Sequence, residues 1–159
     1  MSDPSVSSLA PGDKLAKLTL SGTVSGEVWI ELKSSVVPHT VSSFLTLMTG
    51  LSSPLPFTRL QKNGFIQTSK IPNAPTFPDE SFSVPFTSPY TLAMTSSGPH
   101  TSTGQFFITM QTSEYLSGKF IGFGSVVKGG EVLEELNGLG VVNERPEGVF
   151  VENVVEITE

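Results

Sequence analysis

The chain has 159 residues, a formal net charge of −6, 37% hydrophobic and 15% charged residues, and no cysteine. This length suits one domain with a sizeable core, and the hydrophobic fraction excludes a disordered chain. The acidic balance and the scattered basic residues argue against binding to nucleic acid. The lack of cysteine excludes disulfides and a cysteine nucleophile. No apolar run is long enough to span a membrane and no signal-peptide core is present, so we expect a cytoplasmic protein, with the nucleus as the alternative.

Period-two alternation dominates the first part of the chain. Residues 1–14 are rich in Ser, Pro, Asp and Gly and are predicted to form a flexible tail ahead of one domain at 15–159. Apolar and polar residues then alternate over 15–20 and 27–32, and a Gly- and Ser-containing segment separates the two runs. This pattern predicts a β-hairpin.

Two segments have helical spacing instead. Over 37–50, apolar residues recur at i, i+3, i+4 and i+7 between an early proline and a final glycine, which predicts a helix. Residues 131–140 have a shorter helical pattern, with Val132, Leu133 and Leu136 on one face. Further strands are predicted around Phe57–Leu60, Phe65–Thr68, Phe82–Phe86, Thr91–Met94, Gln105–Met110, Gly122–Val127 and 148–158. The count is about eight strands, and their hairpin-rich order favours a mainly β fold: a closed eight-stranded antiparallel β-barrel capped by two α-helices.

Motifs for several common kinds of chemistry are incomplete in this sequence. The segment GSVVKGGE at 124–131 lacks the Lys and Ser/Thr that complete a phosphate-binding loop. His39 and His100 are the two histidines, and their spacing is not that of a metal-ligand pair. No G-x-S-x-G motif is present. We therefore expect no metal and no cofactor.

The stretch GQFFIT at 104–109 places an aromatic residue on a partly polar face. In a strand, Gln105 and Phe107 share one face, whereas Phe106 lies on the other face with the core residues. Phe107 either belongs to a second apolar layer or forms the floor of a small groove. A second stretch, FTRLQKNGFIQ at 57–67, sets Arg59 between aromatic residues, although a lone arginine on a strand is usually a solvated surface residue.

Four segments then occur in a recognisable order and at compatible spacing. They are FTR…GFIQ, FPDESF, LAMTSSGP.TSTGQFFIT and YLSGKFIGFG.VVKGGEVLEEL. Together they resemble the cyclophilin family of peptidyl-prolyl cis-trans isomerases over roughly residues 15–158. The family fold is a closed eight-stranded antiparallel barrel with two helices, in agreement with the order of elements predicted above.

The resemblance implies a set of site residues. Arg59 corresponds to the family's catalytic arginine, Gln67 to the glutamine that fixes the substrate backbone, and Phe107 to a wall of the proline pocket. The other substrate-binding positions that it implies are Phe65, Ile66, Ser96, Gln105, Leu116, Tyr115 and Phe120. The expected partners are proline-containing peptides and unfolded or flexible protein segments, with the chain acting as a monomer.

The sequence departs from the family pattern at several of these positions. The segment after Gln67 is shorter than the family's Gly-rich loop, and Phe65 stands one position off its usual place unless a bulge forms at Asn63–Gly64. Phe120 replaces a groove histidine. Tyr115 for tryptophan and Ser96 for asparagine remove contacts to cyclosporin, for which weak binding is expected.

The leading hypothesis from the sequence is a prolyl isomerase that assists protein folding. A second hypothesis is a catalytically weak or inactive module of the same fold that binds proline-containing segments as a scaffold in a larger complex. A third is a β-barrel that binds a small ligand. Arg59, Gln67 and Phe107 favour the first hypothesis, an active isomerase. The shortened loop after Gln67 and the more apolar groove edge at Phe120 favour a specialised or weakened enzyme.

Overall fold

The structure is a computed structural model that describes residues 4–71, 80–81, 83–86, 89–95, 105–111, 113, 116, 118, 120–139, 146 and 148–158. A short 3-10 turn at Val6–Ser8 precedes the main elements. These are β1 (Lys14–Gly22), β2 (Gly26–Leu32), α1 (Pro38–Thr49), β3 (Leu55–Gln61), β4 (Phe65–Thr68), β5 (Thr91–Met94), β6 (Phe106–Thr109), β7 (Gly122–Lys128), α2 (Gly130–Asn137) and β8 (Val149–Ile157).

The eight strands close into an antiparallel barrel in the order β1-β2-β7-β5-β6-β4-β3-β8. The predicted fold class is therefore confirmed. The strand predicted at Phe82–Phe86 does not form within its described part, 83–86. The hydroxyl of Ser81 accepts a hydrogen bond from the backbone N–H of Ser83 at 3.1 Å, and Pro85 has no N–H to donate to a ladder. Local hydrogen bonding thus replaces strand pairing in this segment.

Both helices bury the faces that their spacing predicts. In α1 the buried residues are Thr40, Val41, Phe44, Leu45 and Met48, and in α2 they are Val132, Leu133 and Leu136. The Phe44 ring lies edge-on to Phe106, with centroids 5.3 Å apart, and 4.8 Å from Phe123. Helix α1 is thereby joined to the inner faces of β6 and β7, in the core of the barrel.

Asp13 ties the N-terminal segment to the barrel. Its carboxylate Oδ1 accepts hydrogen bonds from the backbone N–H and the hydroxyl of Ser35, at 3.0 and 2.5 Å. Its Oδ2 lies 3.5 Å from the ammonium of Lys33. Burial by itself would raise the pKa of Asp13, but the hydrogen bonds from Ser35, with Glu31 and Lys33, hold that pKa below its usual value. Strand β1 starts immediately after this residue.

Glu80 caps the N-terminus of α1. The residue at the N-cap, Val37, makes no side-chain cap hydrogen bond. The Glu80 carboxylate instead accepts hydrogen bonds from the backbone N–H groups of His39 and Thr40, at 3.1 and 2.8 Å, and from the Thr40 hydroxyl at 2.9 Å. Burial would raise the pKa of Glu80, but these hydrogen bonds and the neighbouring His39 lower it from its usual 4.5. A carboxylate that is distant in sequence therefore accepts the hydrogen bonds of the unpaired N–H groups in the first turn of α1.

This cap predicts a specific loss of stability in acid. Because the folded-state pKa of Glu80 lies below its unfolded value of 4.5, its contribution is complete above that pH and is lost as the pH falls below it. Glu80→Gln should lower the free energy of unfolding by about 1 kcal/mol at neutral pH. It should also reduce the acid dependence measured by urea unfolding between about pH 5 and pH 3. Equal acid dependence in the wild type and the variant would contradict this role.

Candidate functional site

The register between four strands places the expected catalytic residues in one row. Arg59 on β3 lies opposite Gln67 on β4, and Gln67 lies opposite Phe107 on β6. Phe107 in turn lies opposite Ala93 on β5. Residues that are directly opposite in neighbouring strands share a face of the sheet. This outer row, Arg59–Gln67–Phe107–Ala93, therefore crosses the outside of the barrel.

Ile66 does not belong to this face, and its expected place in the proline pocket is corrected. It lies opposite Leu60 and Ile108 in the adjoining row, is fully buried, and is part of the barrel core. Successive residues of a strand point to opposite faces, so Ile66 and Phe65 cannot line the same groove. Of the two, Phe65 faces the outer row.

The β3–β4 hairpin also settles the register around Phe65. The bulge at Asn63–Gly64 that would restore the usual place of Phe65 does not form, because both residues lie in the hairpin turn, where the Gly64 N–H donates to the Gln61 carbonyl at 2.8 Å. Asn63 has a left-handed φ of 62°, which asparagine tolerates. The irregularity in the ladder falls instead between Phe57 and Arg59. Phe65 consequently lies diagonal to Arg59 on the outer face.

Phe107 is the centre of an apolar cluster outside the barrel core. Its ring lies 5.7 Å from that of Phe65 and 5.4 Å from that of Phe120, both edge-on, and 6.5 Å from the nearly parallel ring of Phe86. Leu116 packs against the same cluster, and Phe107 itself is 5% exposed. Phe107 therefore belongs to a second apolar layer outside the barrel core, and its role as the floor of a groove stays a prediction.

Arg59 is exposed on β3 and stacks on this cluster. The carbon at the centre of its guanidinium lies 5.1 Å from the centroid of the Phe65 ring. A guanidinium over an aromatic face is attracted by the ring quadrupole, and its edge presents N–H donors in a planar fork. The site therefore combines a permanent cation with an aromatic surface.

The amide of Gln105 is engaged within the protein. Its Nε2 donates to the backbone carbonyl of Thr68 at 2.9 Å, and its Oε1 accepts from the Thr95 hydroxyl at 2.9 Å. These contacts connect the end of β4, the start of β6 and the residue after β5. Gln105 thus links three strands of the barrel through its side chain, and its contact with a substrate stays a prediction.

Two members of the cluster were missed by the sequence analysis. Phe86 is fully buried against Phe107, but it lies in the segment that was predicted as a strand, where no local spacing indicates that contact. Ala93 joins the outer row only through the register of β5 with β6. Ser96, Tyr115 and His100 lie outside the described residues.

Two features are absent from the part of the chain that the structure describes. There, no group of three or more His, Cys, Asp or Glu residues is placed to hold a metal ion. Over the same residues, no helix has the length and apolar character needed to cross a membrane.

Comparison with known proteins identifies the family. The family model for cyclophilin type peptidyl-prolyl cis-trans isomerases matches residues 16–158. The chain belongs to the cyclophilin family. A crystal structure of a cyclophilin type peptidyl-prolyl cis-trans isomerase from Cryptosporidium parvum superposes with a TM-score of 0.82 at 22% identity, covering 92% of this chain and 99% of that one. This likeness shows the cyclophilin fold.

Curated relatives of this cyclophilin chain are named as probable inactive isomerases. The chain is 35% identical over 142 residues to the "Probable inactive peptidyl-prolyl cis-trans isomerase-like 6" of Homo sapiens, covering 76% of this chain and 46% of that protein. It is 34% identical to the protein of the same name from Mus musculus, covering 76% of this chain and 45% of that protein. This cyclophilin chain spans about half the length of the curated relatives it matches.

Proposed function

We propose that this chain binds X–Pro segments of peptides at the outer row and accelerates rotation about the X–Pro bond. The observation that carries the proposal is the register that sets Arg59, Gln67 and Phe107 side by side on three neighbouring strands. A cation, an amide and an aromatic ring then adjoin on one surface. Each corresponds to one requirement of the reaction.

The reaction needs electrostatic assistance and no covalent step. Amide resonance sets a barrier of about 18–20 kcal/mol to rotation about a peptide bond. In the twisted state the prolyl nitrogen becomes pyramidal and regains a lone pair, which the planar amide does not offer. A guanidinium N–H that donates to this lone pair stabilises the twisted state more than the planar one, and so accelerates rotation. Arg59 supplies that donor through its planar fork of N–H groups.

The neighbours of Arg59 supply binding. Gln67 is partly buried between Arg59 and Phe107, where its amide would hydrogen-bond to the peptide backbone. The exposed parts of Phe65, Leu116 and Phe120 offer an apolar surface for the proline ring. Holding the ring on this surface lets the carbonyl group of the preceding residue swing past Arg59.

Magnetisation-exchange NMR on a short Ala-Pro peptide tests this function directly. With catalytic amounts of the chain, the exchange rate between the cis and trans signals should rise in proportion to protein concentration. An unchanged exchange rate, with no shift of the peptide signals on mixing, would overturn both the binding and the catalytic part of the proposal.

A second candidate is a proline-binding module without catalysis, acting as a scaffold in a larger complex. Two observations favour it: three rings surround Phe107 and leave it 5% exposed, and curated relatives are named probable inactive isomerases. A crowded pocket would admit the proline ring less deeply and would weaken control of the carbonyl group. Peptide signals that shift on mixing, without faster exchange, would select this candidate.

Weak binding of cyclosporin is expected at the same surface, the outer row and the apolar cluster around Phe107. The sequence has Tyr115 and Ser96 where the family resemblance implies tryptophan and asparagine, and an apolar Phe120 replaces a histidine. Tyr115→Trp should therefore tighten the complex by about tenfold, which corresponds to about 1.4 kcal/mol. Isothermal calorimetry of both proteins measures this difference. A tight complex with the wild type would contradict the expectation.

A further inference from the structure

Arg59 and Phe65 are diagonal neighbours on the outer face of the β3–β4 hairpin. Arg59 pairs with Gln67 and Phe65 pairs with Gln61, so each is two positions from the other's partner. Long and aromatic side chains in this relation are within reach of each other. The guanidinium of Arg59 does contact the Phe65 ring, because its central carbon lies 5.1 Å from the ring centroid.

We infer that Phe65 is a positioning residue that holds the guanidinium of Arg59 in place over the outer row. The inference rests on the proposed function and adds a role to Phe65 beyond contact with proline. An exposed arginine samples many rotamers, and only those that aim an N–H along the row assist the reaction. A cation–π contact at an exposed site enriches the stacked rotamers by about two- to fivefold.

The position of the Phe65 ring, on which Arg59 stacks, is itself fixed by contacts within the protein. The Phe65 ring lies edge-on to Phe107, with centroids 5.7 Å apart, so the cluster limits its movement. At the tip of the hairpin, the N–H of Asn63 donates to Oδ1 of Asn137 at 2.7 Å, and Nδ2 of Asn137 donates to Oδ1 of Asn63 at 2.9 Å. The Met110 N–H also donates to the Gly64 carbonyl at 2.7 Å. The Phe65 ring thus packs against Phe107, and the turn that precedes Phe65 is held by hydrogen bonds to Asn137 and Met110.

Phe120 provides a matched comparison. Its ring also lies edge-on to Phe107, at 5.4 Å, and it is also partly buried in the cluster. Phe120→Leu and Phe65→Leu therefore remove the same kind of contact from Phe107. The contact with Arg59 is the one that Phe65→Leu removes in addition. A difference between the two variants isolates the positioning effect.

The experiment first measures the NMR signal of the Arg59 side chain and then measures the isomerisation rate. The Nε–Hε signal of Arg59 is assigned by its loss in Arg59→Lys, and the ring current of Phe65 should shift it in the wild type. We expect this shift to disappear in Phe65→Leu and to persist in Phe65→Tyr and Phe120→Leu. In isomerisation assays, Phe65→Leu should lower kcat by about two- to fivefold, Phe65→Tyr should restore it, and Phe120→Leu should act mainly on KM.

Either measurement can overturn the inference. An Arg59 signal that is the same in the wild type and in Phe65→Leu would show that the ring does not hold the guanidinium. Equal losses of kcat in the two leucine variants, without rescue by Phe65→Tyr, would show that Phe65 acts only through Phe107. If the wild type does not isomerise at all, the proposed function fails, and the Arg59 signal still decides whether the guanidinium is held.

Discussion

Arg59→Ala is expected to slow catalysed isomerisation by about a hundred- to a thousandfold, the usual cost of losing one donor aimed at a transition state. The loss should fall on kcat, because the donated hydrogen bond forms only with the pyramidal nitrogen of the twisted amide. Arg59 is exposed, so its truncation should change the free energy of unfolding by no more than about 0.5 kcal/mol. Magnetisation exchange with an Ala-Pro peptide measures the rate.

Two variants control for the charge of Arg59. Lys62 is exposed at the tip of the same hairpin, and Lys62→Ala removes one positive charge without altering the outer row. That variant should keep the wild-type rate. Arg59→Lys keeps the charge but lacks the planar fork of donors, and should recover only a small part of the activity. If Arg59→Ala retained more than about a tenth of the wild-type kcat, a donor of this kind would be excluded.

The second large effect is expected in the core. Phe44→Ala should lower the free energy of unfolding by about 3–5 kcal/mol, because a fully buried ring is lost and a cavity remains. The ring lies 5.3 Å from Phe106 and 4.8 Å from Phe123, and it joins α1 to two strands of the barrel. Urea unfolding monitored by far-UV circular dichroism gives this free energy directly.

Ser42 offers a control on the same helix. It is exposed on α1, and Ser42→Ala should change the free energy of unfolding by less than about 0.5 kcal/mol. Phe44→Leu keeps most of the buried volume and should cost clearly less than Phe44→Ala. A loss below about 1 kcal/mol for Phe44→Ala would mean that α1 is not held by this ring.

The elements that local patterns specify were predicted closely. The spacing at 37–50 predicted a helix, and α1 is Pro38–Thr49. Strands β4 and β5 have the predicted bounds, Phe65–Thr68 and Thr91–Met94. The exception, Phe82–Phe86, is a segment whose alternation resembles a strand but whose serine hydroxyl and proline favour local structure.

Within the site, errors arose where one strand had to be placed against another. Ile66 was expected beside Phe65 in the groove, yet the three-residue hairpin turn sends Ile66 into the core. Phe86 reaches Phe107 from a segment without strand pairing, so neither propensity nor periodicity could reveal the contact. Side-chain direction in a sheet changes with every residue, and a one-residue shift in register reverses every assignment.

The sequence by itself determined the fold class and the positions of most elements, and the family resemblance selected Arg59, Gln67 and Phe107 as candidate site residues. These features follow from local periodicity and from motifs that are continuous in the chain. Only the tertiary structure decided which of these side chains are neighbours. The outer row depends on the pairing of β3, β4 and β6, and the contact of Arg59 with Phe65 depends on the register that the turn imposes. Pairing between strands is non-local, so it is settled only when the barrel closes.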